Sequence, residues 1–157
     1  MKVDSVLLVN GKVKLKGVSG YGDAMTMVSD DAPHDDLLKA LGALQELFTV
    51  TFGNETVSGT LSVRGVSHGF GSRGPYYVIH GAIGGSGGEC KGHTNKLRVP
   101  YNKGWWDEHK KGEDPNLITE EDKDLIEKVL AEAELFVSGK RGDEDKKEPV
   151  PEPDGGV

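Results

Sequence analysis

The side chains that could do chemistry gather in the middle of this 157-residue chain, between Arg64 and Trp105. Three kinds of chemistry compete for them. Cys90-Lys91-Gly92-His93 is a C-x-x-H pair, and with His68 and His80 it offers the sulfur and nitrogen donors of a tetrahedral zinc site. No second paired motif accompanies it, so the expectation is a free thiol at Cys90, no metal and no cofactor. Ser67 and Ser72 are nucleophile candidates beside His68 and His80, but neither serine stands in a strand-to-helix elbow, and His80 has no evident orienting acid. Gly84-Gly85-Ser86-Gly87-Gly88 has the composition of a phosphate loop without its G-x-x-x-x-G-K-[ST] order, and it leads toward a strand rather than a helix. The third chemistry is nucleic-acid binding. Arg64, Arg73, Lys91, Lys96 and Arg98 supply cations; Tyr76, Tyr77 and Trp105, with Phe70 and Trp106 nearby, supply rings. Cations that follow a phosphate backbone and rings on which bases stack are the parts of a single-strand binding surface. The expected interface is therefore Arg64, Arg73, Tyr76, Tyr77, Lys91, Lys96, Arg98 and Trp105, in a protein that is not an enzyme.

These residues need a sheet to hold them. Three apolar runs, 57–66, 76–83 and 97–101, are separated by the glycine-rich connectors 69–75 and 84–88. Alternating β-branched or aromatic residues bounded by Gly and Pro predict an antiparallel meander. Upstream, Ser5–Val9, Asn10-Gly11 and Lys12–Lys16 predict a hairpin with a type I′ turn, the lysines lying on its solvated face. Residues 24–28 predict a third strand. Asp30, Asp31, Pro33, Asp35 and Asp36 open a helix whose apolar face is Leu37, Leu38, Leu41, Leu44, Leu47 and Phe48. Thr119 to Asp122 starts a second helix as a capping box, and Gly139 ends it. The order β-β-β-α-β-β-β-α predicts an α+β domain over residues 1–141, with about six antiparallel strands and both helices on one face. Strand parity sets Arg64 opposite Leu61 and Val63, and Arg98 opposite Leu97 and Val99, so both arginines are expected on the face the helices leave open.

Charge is unevenly placed. Residues 1–104 carry 11 Lys/Arg against 9 Asp/Glu, whereas 105–157 carry 8 against 17. A mildly basic domain is followed by an acidic stretch. From Gly142 on, Asp, Glu, Lys, Pro and Gly dominate, and a disordered acidic tail is expected over 142–157. That tail could cover a basic groove, recruit a partner or keep the protein in solution. One cysteine excludes an intramolecular disulfide and fits a reducing cytoplasm. No apolar run approaches 18 residues, so no membrane span is expected.

Three stretches carry a likeness to a family. They are Pro33–Leu44, which reads P-H-x-D-L-x-x-A-L-x-x-L; Leu61–Ser67 with Tyr77–Ala82 and His93–Lys96; and Ala131–Arg141, which ends in G-K-R. Over about residues 20–141 the chain resembles small tailed-bacteriophage proteins encoded among early replication and recombination genes. The N-T-P turn typical of that family is absent here. The resemblance implies DNA metabolism in a host cytoplasm. Together with the residues above, the expectation is an accessory protein that binds single-stranded nucleic acid. The alternative is an oligomeric module that captures a host signalling nucleotide or blocks a host protein.

Overall fold

The computed structural model describes residues 1–52, 60–85, 88–102, 104–110 and 113–141. The expected acidic tail, 142–157, lies outside the described residues, as do the first residues of the 57–66 run and the centre of the 84–88 connector.

Six antiparallel strands form one sheet in the order β3-β2-β1-β4-β5-β6. They are β1 (Lys2–Val9), β2 (Lys12–Val18), β3 (Ala24–Ser29), β4 (Thr60–Gly71), β5 (Gly74–Gly85) and β6 (Gly88–His93). The first hairpin turns at Asn10 and Gly11, whose φ values of 53° and 78° are those of a type I′ turn. In β2, Val13 and Leu15 are buried while Lys12, Lys14 and Lys16 are exposed, as alternation requires. The helices cover the Val13 side. They are α1 (Asp35–Gly42), α2 (Gln45–Phe52) and α4 (Glu120–Val137), while the single turn α3 (Trp105–Glu108) buries none of its residues. Val6, Leu15, Val66 and Ile79 from the sheet meet Leu37, Leu41, Phe48, Ile126, Val129 and Phe136 from the helices in one core. The fold is α+β, with helices on one face of an antiparallel sheet.

The meander differs from its sequence reading in one respect. The glycine connectors are mostly strand: β4 runs to Gly71 and β5 starts at Gly74, leaving the two-residue turn Ser72-Arg73. The third strand is Gly88–His93, not 97–101; Leu97 makes an isolated bridge to Tyr77 and Arg98 one to Leu117. Rings explain this. A Cβ on Gly69 would lie 2.5 Å from the Tyr76 hydroxyl oxygen, and a Cβ on Gly81 would lie 2.5 Å from Phe48 Cζ. Glycine stands where an aromatic ring lies flat on the backbone, so these glycines belong to packed strands rather than to loops.

The first predicted helix is two. α1 stops at Gly42 and α2 restarts at Gln45, so Leu44 still reaches the core while the axis is redirected. α4 begins with the reciprocal capping box: Asp122 N–H donates to Thr119 Oγ1 at 3.1 Å, and Thr119 N–H to Asp122 Oδ2 at 3.2 Å. It ends at Gly139, φ 118°, with Lys140 N–H donating back to the Leu135 carbonyl at 3.0 Å.

The helical layer is fastened by a buried polar cluster. His34 Nε2 lies 2.7 Å from Glu132 Oε1, with the two side chains 0% and 6% exposed. Lys140 Nζ reaches the same Glu132 oxygen at 3.3 Å and Asp36 at 2.7 Å, and Lys128 reaches the other oxygen at 3.3 Å. Burial alone would raise the Glu132 carboxyl, but hydrogen bonds from His34, Lys140 and Lys128 outweigh it and hold the group below its ordinary value. Arg141 lies over the Phe136 ring and donates to Asp31 at 2.8 Å. The Pro33–Leu44 and Ala131–Arg141 stretches thus meet in one clamp between α1 and α4.

Candidate nucleic-acid interface

Register decides which side chains share the uncovered face. Val66 opposes Ile79 on the buried side, so Gly65 with His80, Ser67 with Val78 and Gly69 with Tyr76 lie on the other. The same parity carries Lys12, Lys14 and Lys16 of β2, Leu7 of β1, Ala82 of β5, and Lys91 and His93 of β6 onto that face. Arg64 joins them by a different route. β4 has a bulge between Val63 and Gly65, which leaves Arg64 without a cross-strand partner and turns its side chain outward. Its guanidinium donates to Ser62 Oγ at 3.2 Å and pairs with Glu89.

A band of positive charge therefore crosses the sheet from β2 to β6. Lys12 is matched by Asp30 at 3.1 Å. Among the described residues, no carboxylate lies within ion-pairing distance of Lys14, Lys16, Lys91 or Lys96. The Tyr76 ring lies over Gly69, and the Lys96 ammonium stands 4.6 Å from its centroid. Between them and β6 is a cleft of about 430 Å³ lined by Ser67, His80, His93 and Asn95. Ser67 Oγ is 2.8 Å from His80 Nε2 and 3.0 Å from Ser5 Oγ, a hydroxyl–imidazole chain joining β1, β4 and β5. Burial, and then the neighbouring His93, lower the His80 pKa below its ordinary 6.5. The ring is uncharged at neutral pH, and so available as a hydrogen-bond partner. These two contacts were invisible in sequence, because they join residues 13 and 62 positions apart on three strands.

The eight expected interface residues divide. Arg64, Tyr76, Lys91 and Lys96 come together on the uncovered face. Arg73, Arg98 and Trp105 line a different cleft of about 920 Å³ with Tyr101, Asp114 and Glu120. Arg98 does not reach the open face: its backbone N–H donates to the Asn116 carbonyl at 3.0 Å, and its side chain lines that second cleft beside Glu120 and Lys123 of α4. Trp105 stacks on His109 at 3.8 Å between centroids and meets Trp106 edge-on at 4.7 Å. Tyr77 takes the helix-covered side and is 3% exposed. Adjacent strand positions point to opposite faces, so Tyr76 and Tyr77 cannot both be outside. The Tyr77 hydroxyl donates to Glu127 of α4, and burial followed by that carboxylate pushes its pKa well above the ordinary value. Tyr77 is a core residue, not a stacking platform.

The four zinc-ligand candidates do not converge. Cys90 and His93 are three positions apart in a strand and so leave opposite faces: Cys90 opposes Ile83, and His93 opposes His80. His68 stacks on the buried Tyr77, 4.8 Å between centroids. Among the described residues, no group of three or more His, Cys, Asp or Glu is placed to hold a metal ion, and no helix is long and apolar enough to cross a membrane. No family model, curated protein or solved structure matches the chain.

Proposed function

We propose that this protein binds single-stranded nucleic acid across the uncovered face of its sheet, as a non-enzymatic accessory factor. The observation that carries the reading is the band Lys14, Lys16, Arg64, Lys91 and Lys96 on a face from which the helices are absent. A flat, cationic sheet with a ring lying on it lets a strand place its phosphates on cations and a base on the ring. A duplex would meet the same charge, but only an unpaired strand can bring a base face to Tyr76, where it would displace the Lys96 ammonium from the ring. The family resemblance adds the setting: a phage protein acting beside replication or recombination in the host cytoplasm, with its acidic tail as a second contact for a host or phage protein.

The test is fluorescence anisotropy with a labelled oligonucleotide at low salt. Replacing Lys14, Arg64 and Lys91 together by alanine weakens binding at least about tenfold, since each lost phosphate contact removes part of the electrostatic affinity. Replacing Arg73 and Trp105 leaves it within about twofold. The opposite ranking would move the site to the second cleft, and no binding by the unmodified protein would end the proposal.

A further inference from the structure

The sheet is not closed along its whole length. β1 pairs with β4 only from Ser5 to Leu7, opposite Ser67 to Gly65. At the Arg64 bulge the two strands part, and β1 runs on to Val9 paired with β2 alone. A cavity of about 250 Å³ fills the wedge, opening on the uncovered face. Its apolar walls come from Leu7, Val9 and Ala82, while its polar groups are Asn10, Arg64, His80, Glu89, Lys91 and His93. Ala82, which lines it, presents only a methyl on that face.

We propose that this wedge receives a single nucleobase, with the attached phosphate held by Lys91. The inference rests on the nucleic-acid reading for its strand form and deepens it. Ligand pockets for drug-sized molecules run from about 300 Å³ upward, so this volume suits one planar ring system. Apolar walls accept the ring's faces. Arg64 and Glu89, paired at the rim, offer donors and an acceptor to a base edge, as arginine and carboxylate side chains do when they read bases. Lys91 adjoins the cavity as a cation that no described carboxylate neutralises. An extruded base in a snug pocket is a familiar device in proteins that handle unpaired strands. The same chemistry, a base bearing a phosphate, could come from a strand or from a free mononucleotide.

The experiment compares a short thymidine oligonucleotide, an abasic strand of equal length, and the four deoxynucleoside monophosphates. Binding of the strands is read by anisotropy, and binding of the monophosphates by chemical-shift changes at the Ala82 methyl and His93. The unmodified protein should bind the base-bearing strand about tenfold tighter than the abasic one, a factor within the range of one lost stacking contact. Ala82→Met fills the wedge and should bring the base-bearing strand down to the abasic level, with the melting curve confirming that the variant is folded. Equal binding of both strands by the unmodified protein, or an undiminished preference in folded Ala82→Met, overturns the pocket. If neither strand binds but a monophosphate shifts the Ala82 methyl, the pocket stands with a free nucleotide as its ligand and the strand reading falls. If no probe binds, both fall.

Discussion

Glu132 is the residue on which the polar contact between α1 and α4 turns. It is 6% exposed as a side chain and is contacted by His34, Lys140 and Lys128 at 2.7, 3.3 and 3.3 Å. Replacement by alanine leaves His34 buried without its partner, takes the Lys128 ammonium's carboxylate away and leaves Lys140 with Asp36 alone. Leaving a buried polar group without its hydrogen-bond partner costs about 1–3 kcal/mol. A domain has roughly 5–15 kcal/mol of stability in all, so this is a large share. Glutamine keeps the shape and one acceptor oxygen but loses the charge, exchanging charge-assisted hydrogen bonds for neutral ones at a cost of about 1–2 kcal/mol. At about 2–4 °C per kcal/mol for a chain of this size, the melting midpoint should fall by about 2–8 °C for Glu132→Gln and about 2–12 °C for Glu132→Ala. The carboxyl pKa is lowered in the folded state, so its contribution is present above the ordinary value of 4.5 and is lost as pH falls through the folded value. Thermal melts followed by circular dichroism from pH 7 to 3 should show that acid limb in the unmodified protein and a weaker one in Glu132→Gln. A Glu132→Ala variant with the stability of the original, within about 0.5 kcal/mol, would refute the clamp between α1 and α4.

Two further outcomes follow from the site. Tyr77→Phe removes the hydroxyl bonded to Glu127 and should cost about 1–3 kcal/mol in a urea melt while leaving oligonucleotide affinity unchanged, because the ring is on the covered face; a variant that stays folded yet loses binding would contradict that placement. The His80 pKa is lowered below 6.5 in the folded state, so the unfolded chain takes up the proton first and stability falls as pH drops through that range; bound phosphate favours the charged ring, so oligonucleotide affinity should rise over the same interval, and His80→Gln should flatten that rise.

What the sequence made legible was local. The Asn10-Gly11 turn, the Thr119 capping box and the Gly139 stop each lie within a few residues of the groups they organise, and each stands where it was expected. The alternation of lysines in β2 announced an uncovered face for the same reason. The glycine-rich segments misled because their meaning is supplied by distant rings: Gly81 is read correctly only when Phe48 is known to lie on it. The Arg64 bulge is a register event, and a single strand's pattern does not show whether its partner keeps step. Tyr76 and Tyr77 presented a choice that parity could state but not make, since the helix side is fixed by Glu127, 50 positions away from Tyr77. Arg73, Arg98 and Trp105 looked like neighbours of the sheet cations because they are near them in sequence; the turn at Ser72-Arg73 and the Arg98–Leu117 bridge carry them to another cleft.

The central claim is that phosphates lie along the cationic face of the sheet, and the slope of log affinity against log salt measures it most directly. A single strand contributes about 0.7 to that slope for each phosphate neutralised. Lys14, Lys16, Lys91 and Lys96 acting as phosphate contacts give a slope near −3 by that rule, measured by anisotropy between low and moderate salt (~0.7 per contact). Lys14→Ala with Lys91→Ala should flatten it by about 1.4 while the melting curve is retained. A slope near zero in the unmodified protein, or the same slope in the folded double variant, would contradict the account.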